Sequence, residues 1–144
     1  MVAQGRRGTR AENQVGDELG DAGYDVVRSA ASKGAADLVA VHDNEVLFIQ
    51  VKLGVYGKPF KIPSPAERRE LYRIAHRAGG FPVAACRIPG AGARKATTSY
   101  RLLTGEGPFD FVPWLPRGRR GGGLDPAATE VDGCVVLDMY PEGA

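Results

Sequence analysis

Asp37, Gln50 and Lys52 are the residues most out of place in this sequence, because they lie in the apolar run DLVAVHDNEVLFIQVK at 37–52. An acid, an amide oxygen and an ammonium are groups suited to binding a divalent cation and acting on a phosphate. A hard cation such as magnesium takes oxygen ligands and keeps several waters. Asp37, the Gln50 amide oxygen, the Val51 carbonyl and the Glu12 carboxylate are the candidate ligands. Lys52 is the candidate to orient or activate a water, or to neutralise charge developing on a phosphate. Each residue also has a bland reading: Glu12 as a helix-capping acid, Asp37 as a strand cap, Gln50 as a buried amide, Lys52 as a snorkelling cation. Asp37, Gln50 and Lys52 together on one face need more than that, since a buried charge is costly unless paired or coordinated.

The elements that must position these groups are readable. Val39, Val41, Val46, Leu47, Phe48, Ile49 and Val51 are strand formers, and Asp43-Asn44 is good chemistry for a two-residue turn. That turn pairs Val41 with Val46 and Val39 with Phe48, and it sets Asp37 opposite Gln50. Side chains alternate along a strand, so Lys52 shares their face. Glu12 belongs to a predicted helix over 9–22, with Thr9 as cap, Glu12 in the capping-box position and Gly23 as the stop. Its apolar stripe is Ala11, Val15, Leu19 and Ala22.

A strand over 24–29 and a small-residue loop over 30–36 precede the hairpin. Residues 53–63 hold two glycines and two prolines and form no regular element. Ser64 caps a second helix, with Pro65 first, Glu67 three residues past the cap, and Leu71, Ile74, Ala75 and Ala78 as its stripe. Strands follow over 81–88 and 99–104. Beyond Gly105 the pattern weakens to proline-broken FDFVPWLP, the flexible stretch 117–123 and a last strand over 134–140. The order α-β-β-β-α-β implies one mixed sheet with helices packed on it.

The bulk numbers bound the function. A chain of 144 residues with 25% charged and 43% hydrophobic residues fits one soluble globular domain. No apolar run is long enough to span a membrane, and the start MVAQGRRGTR lacks a signal-peptide core, so a cytoplasmic protein is expected. Cys86 and Cys134 read as buried free thiols. The net charge is only +2, but fourteen of the nineteen cations are arginine, the residue suited to phosphate recognition. Arg6, Arg7 and Arg10 lie within a turn or two of Glu12, and Arg69, Arg73 and Arg77 share a helix face. Phosphate contact is one reading; a solvated face and an arginine-rich codon usage are the others. Trp114 reads as packing.

Residues 8–52 resemble the archaeal-type Holliday junction resolvases of the PD-(D/E)XK nuclease superfamily. The likeness rests on Glu12, Arg28-Ser29, Ser32-Lys33-Gly34, Asp37-Leu38-Val39-Ala40 and Gln50-Val51-Lys52, in one order. It is close over 5–52, follows element order over 5–103 and leaves the C-terminal third unmatched. One residue departs: Gln50 stands where that family usually has Glu. The resemblance implies an α/β, restriction-endonuclease-like single domain over 1–144. Its core would span about 5–104, a mixed central sheet flanked by helices, with 105–144 as an extension. It further implies a magnesium site in which manganese substitutes, and Glu12, Ser32, Asp37, Gln50 and Lys52 as the catalytic set. Arg6, Arg7, Arg10, Arg28, Lys33, Arg69 and Arg73 become the expected DNA contacts. The family implies a homodimer that binds four-way DNA junctions and nicks two strands of like polarity. A restriction- or repair-type nuclease on the same fold is the first alternative, although no sequence-reading domain is visible in so short a chain. A catalytically silent DNA-binding dimer is the second; retention of Glu12, Asp37 and Lys52 argues against it.

Overall fold

Apolar alternation on either side of Asp43-Asn44 folds the centre of the chain into a hairpin, β2 (Leu38–His42) and β3 (Glu45–Leu53). Its register is the predicted one, with Val39 opposite Phe48, Val41 opposite Val46 and His42 opposite Glu45. Asp43 takes the left-handed φ of 51° that the tight turn demands. The computed structural model describes residues 2–28, 35–116, 130–131 and 134–135, and the side chains of 8–28 and 35–116.

Around the hairpin run α1 (Val2–Asp21), β1 (Asp25–Arg28), α2 (Pro65–Ala78), β4 (Phe81–Ile88), β5 (Thr97–Leu103) and β6 (Phe111–Trp114). These strands form one sheet in the order β1-β2-β3-β4-β5-β6. Every neighbouring pair is antiparallel except β3 and β4, which are parallel and joined through α2. Two short strands, β7 (Glu130–Val131) and β8 (Cys134–Val135), pair only with each other.

The helices cover opposite faces of the sheet. Ala11, Val15 and Leu19 of α1 pack with Leu47, Ile49 and Val51, while Leu71 of α2 packs with Ala84, Leu103 and Phe48. Alternation along β3 therefore divides the strand between two cores. Trp114 and Cys86 are buried, as expected.

Two expectations need correction, and a third lies largely outside the described residues. The first helix begins at Val2, so Thr9 lies inside it and Glu12 is no capping acid. Gly5 and Gly8 weaken a helix interior by about 1 kcal/mol each without breaking it. The proline-broken stretch after Gly105 nonetheless adds a strand to the sheet, because β6 pairs with β5 from Tyr100–Trp114 to Leu103–Phe111. Pro113 is tolerated there because β6 is an edge strand. Of the strand expected over 134–140, the described residues include only Cys134–Val135.

Candidate metal and phosphodiester site

Asp37 sits immediately before β2 begins. The ladder, continued by one residue, sets it against Gln50 as the sequence predicts. Its N–H donates to the Ile49 carbonyl and its Oδ2 accepts the Val51 N–H, both at 2.8 Å. The side chain thus takes over, for Val51, the hydrogen bond a longer β2 would make. Only 6% of the residue is exposed. Desolvation holds its pKa above the ordinary aspartate value. The Val51 N–H opposes that rise, the field of Glu12 adds to it, Lys52 opposes it and Glu67 adds to it.

In a strand, the N–H and C=O of one residue point to the same edge. The Val51 carbonyl therefore opens on the edge where Asp37 lies, beyond the reach of β2. Gln50 and Lys52 alternate with the buried Ile49 and Val51 and so project toward the α2 face. Gln50 is half-buried, and its amide has no hydrogen-bond partner among the described residues.

Lys52 is held by a residue the sequence reading assigned only to helix capping. Its Nζ lies 2.8 Å from Oε2 of Glu67. Glu67 is the N3 residue of a capping box: its Oε1 accepts the Ser64 N–H at 2.8 Å, and Ser64 Oγ accepts the Glu67 N–H at 3.2 Å. Burial pushes the Glu67 pKa up, but the hydrogen bonds and charge of Lys52, with those from Ser64, more than offset this and leave it lowered. A signal for this contact was present. A parallel crossover runs its helix back along the sheet, so the N-terminus of α2 falls at the C-terminal end of β3.

Glu12 approaches from the other helix. Arg28, at the end of β1, contacts Glu12 Oε1 at 2.7 Å and Asn13 Oδ1 at 2.8 Å. A turn and a half along α1, Glu18 anchors the helix to the sheet. It receives hydrogen bonds from Tyr100 at 2.7 Å, Arg87 at 3.1 Å and Thr98 at 3.2 Å. Burial, followed by the Glu18 charge, holds the Tyr100 pKa well above its ordinary value.

Among the described residues, no three His, Cys, Asp or Glu side chains are close enough to enclose a metal by themselves. The donor set nonetheless fits magnesium, which is ordinarily held by one or two carboxylates plus waters and substrate phosphate. Asp37 has no ion-pair partner within 4 Å among the described residues, and its nearest fields include two further carboxylates. A divalent cation would relieve that arrangement.

The expected DNA contacts divide. Arg10 is exposed and lines a cleft of about 540 Å³ with Gln14, Leu53, Tyr56 and Arg87. Arg94 lies over the Tyr56 ring at 5.1 Å. Arg73 makes a two-pronged contact with Glu70 at 2.7 and 3.0 Å, and Arg69 reaches Glu106 at 3.9 Å. Arg68 is no part of that stripe: it is buried and donates to the carbonyls of Pro63 and Glu106. Ser32 and Lys33 lie outside the described residues, as do the side chains of Arg6 and Arg7.

The profile of the archaeal Holliday junction resolvase family, Hjc, matches residues 3–104. Among solved structures, Hjc from Archaeoglobus fulgidus, described as a Holliday junction resolvase from an archaeal hyperthermophile, is similar. The two share 27% identity over 67% of this chain and 70% of that one, with a TM-score of 0.50. No curated protein matches. The matched stretch contains Glu12, Arg28, Asp37, Gln50 and Lys52, and the chain belongs to the archaeal Holliday junction resolvase family.

Proposed function

We propose that this protein is a structure-selective endonuclease that resolves four-way DNA junctions by paired, metal-dependent hydrolysis of phosphodiester bonds. Beyond family membership, one observation carries the reading: a buried Asp37, fixed by the Val51 N–H, lies in the fields of Glu12 and Lys52. Asp37, Glu12, the Gln50 amide oxygen and the Val51 carbonyl would hold magnesium, with manganese able to replace it. The ion supplies a Lewis acid for the phosphate and lowers the pKa of a bound water.

The chain's own residues do the rest. Arg28 fixes the Glu12 carboxylate, and Glu67 holds Lys52 at the same end of β3, where it would stabilise negative charge building on the phosphate. Ser32 is the further member of the catalytic set that the family resemblance implies. Arg10 and Arg28, together with Arg6, Arg7 and Lys33, would contact DNA phosphates, and Arg69 and Arg73 would exchange glutamate partners for them. Two copies, related by a two-fold axis, deliver the two nicks.

Cleavage of a synthetic four-way junction and of a linear duplex of the same sequence, each with magnesium or chelator, tests this. Paired nicks in the junction alone, and only with metal, are expected. Equal cutting of linear duplex would point to a restriction- or repair-type enzyme. Tight junction binding without any cleavage would point to a silent DNA-binding dimer.

A further inference from the structure

Gln50 brings an oxygen but no charge to the site, and the fold places a carboxylate close by from another element. Glu67, on the first turn of α2, meets Lys52 at 2.8 Å and lies in the field of Asp37. Gln50 and Lys52 project toward the same α2 side of the sheet. We propose that Glu67 supplies, from helix α2, the carboxylate that Gln50 withholds, so that Asp37 and Glu67 are the acids flanking Lys52. The inference deepens the nuclease reading and rests on it.

Several features support this role over capping alone. A capping box requires only an acceptor at N3, and glutamine serves there as well as glutamate. The Ser64 N–H occupies Oε1, whereas Oε2 is directed to Lys52. A carboxylate has about four lone-pair sites, so two hydrogen bonds leave capacity for a cation or its bound water. The charge is held in its ionised form, because the contacts with Lys52 and Ser64 overcome the effect of burial. The contact with Glu67 favours a Lys52 held at the site, although long ammonium side chains ordinarily reach for solvent.

Glu67→Gln isolates the charge, because it keeps both the capping hydrogen bonds and the length of the side chain. The first readout is the rise in melting temperature with added manganese in the absence of DNA. The concentration giving half the full rise should increase about tenfold in Glu67→Gln, equivalent to about 1.4 kcal/mol. Junction cleavage should shift to higher metal by a similar factor. The double variant Gln50→Glu/Glu67→Gln moves the carboxylate to the strand and should recover both readouts. A structural role would instead lower the melting temperature without metal and leave the manganese midpoint unchanged. That result, or failure of the double variant to recover, overturns the proposal. Should the unmodified protein not cut junctions with any metal, the nuclease reading falls, and the manganese midpoints still decide whether Glu67 contributes to a cation site.

Discussion

At the scale of single residues, Asp37 combines an electrostatic cost with a functional placement. Its raised pKa means that the folded chain binds more protons than the unfolded chain between the ordinary aspartate value of 3.8 and the folded value. Stability contributed at this position is therefore highest at low pH, falls as pH rises through that window and stays reduced above it. Asp37→Asn removes the charge and still accepts the Val51 N–H. Without metal at pH 7, it should melt above the unmodified protein, and the difference should shrink as the pH approaches 3.8. Added magnesium should raise the melting temperature of the unmodified protein alone. Cleavage should fall about a thousandfold, since the metal stabilises the transition state by several kcal/mol, while phosphate contacts preserve junction binding. A variant that melts lower at pH 7 would contradict the account. Lys52→Met separates the roles further. It removes a partly exposed ion pair worth about 1 kcal/mol or less, yet cleavage should drop at least about a hundredfold. Equal losses of folding and cleavage would mean that Lys52 is only a partner of Glu67.

The secondary elements explain which parts of the site could be read in advance. The hairpin was legible because strand alternation and a two-residue turn fix register locally, and Asp37, Gln50 and Lys52 followed from that register. The capping box of α2 was equally legible, since Ser64 and Glu67 are three residues apart. Contacts joining separate elements were not. Glu12–Arg28 and the Glu18 network depend on how α1 docks, which local spacing does not encode, and Lys52–Glu67 follows only from the direction of the crossover through α2. The same limit explains the misplaced start of α1, where Thr9 and Glu12 satisfy the capping pattern inside a continuing helix. Docking can be tested through Tyr100, which is buried and donates to Glu18. Tyr100→Phe should cost about 1.5 kcal/mol, as expected for a hydrogen bond to a charged group. Loosening α1 should also reduce cleavage, because Glu12 rides on the same helix. Chemical denaturation alongside junction cleavage reads both effects; an unchanged denaturation midpoint would show that Glu18 is not the anchor. The α2 cap gives an independent check: Ser64→Ala should cost about 1 kcal/mol and free Glu67 to move, lowering cleavage more than the stability loss explains.

At the scale of the whole molecule, resolution of a four-way junction needs two cuts, and one site cuts one strand. A two-fold axis places identical sites on strands of like polarity without a second kind of subunit. Residues 53–63 and the segment holding Phe109, Phe111 and Trp114 are the candidate apolar surfaces for such a dimer. The fold narrows that choice. Trp114 is 1% exposed and belongs to the core, while Val55 is 60% exposed and Phe109 is 87% exposed. Val55 follows Leu53 and Gly54 directly after the strand that carries Lys52, so an interface there would tie dimerisation to the geometry of the site. Gly54 is required at that exit, because a Cβ would lie 2.6 Å from the Cys86 sulfur. Val55→Asp places a charge on the exposed surface and should change the stability of the single chain by no more than about 0.5 kcal/mol. Across a dimer interface, the same charge would be buried without a partner, weakening association by about 2 kcal/mol, or some thirtyfold. Light scattering should then show monomers at concentrations where the unmodified protein is dimeric, and junctions should accumulate single nicks in place of paired ones. A chain that scatters as a monomer and still makes paired nicks would refute the two-fold arrangement. A dimer unaffected by Val55→Asp would move the interface to the surface around Phe109.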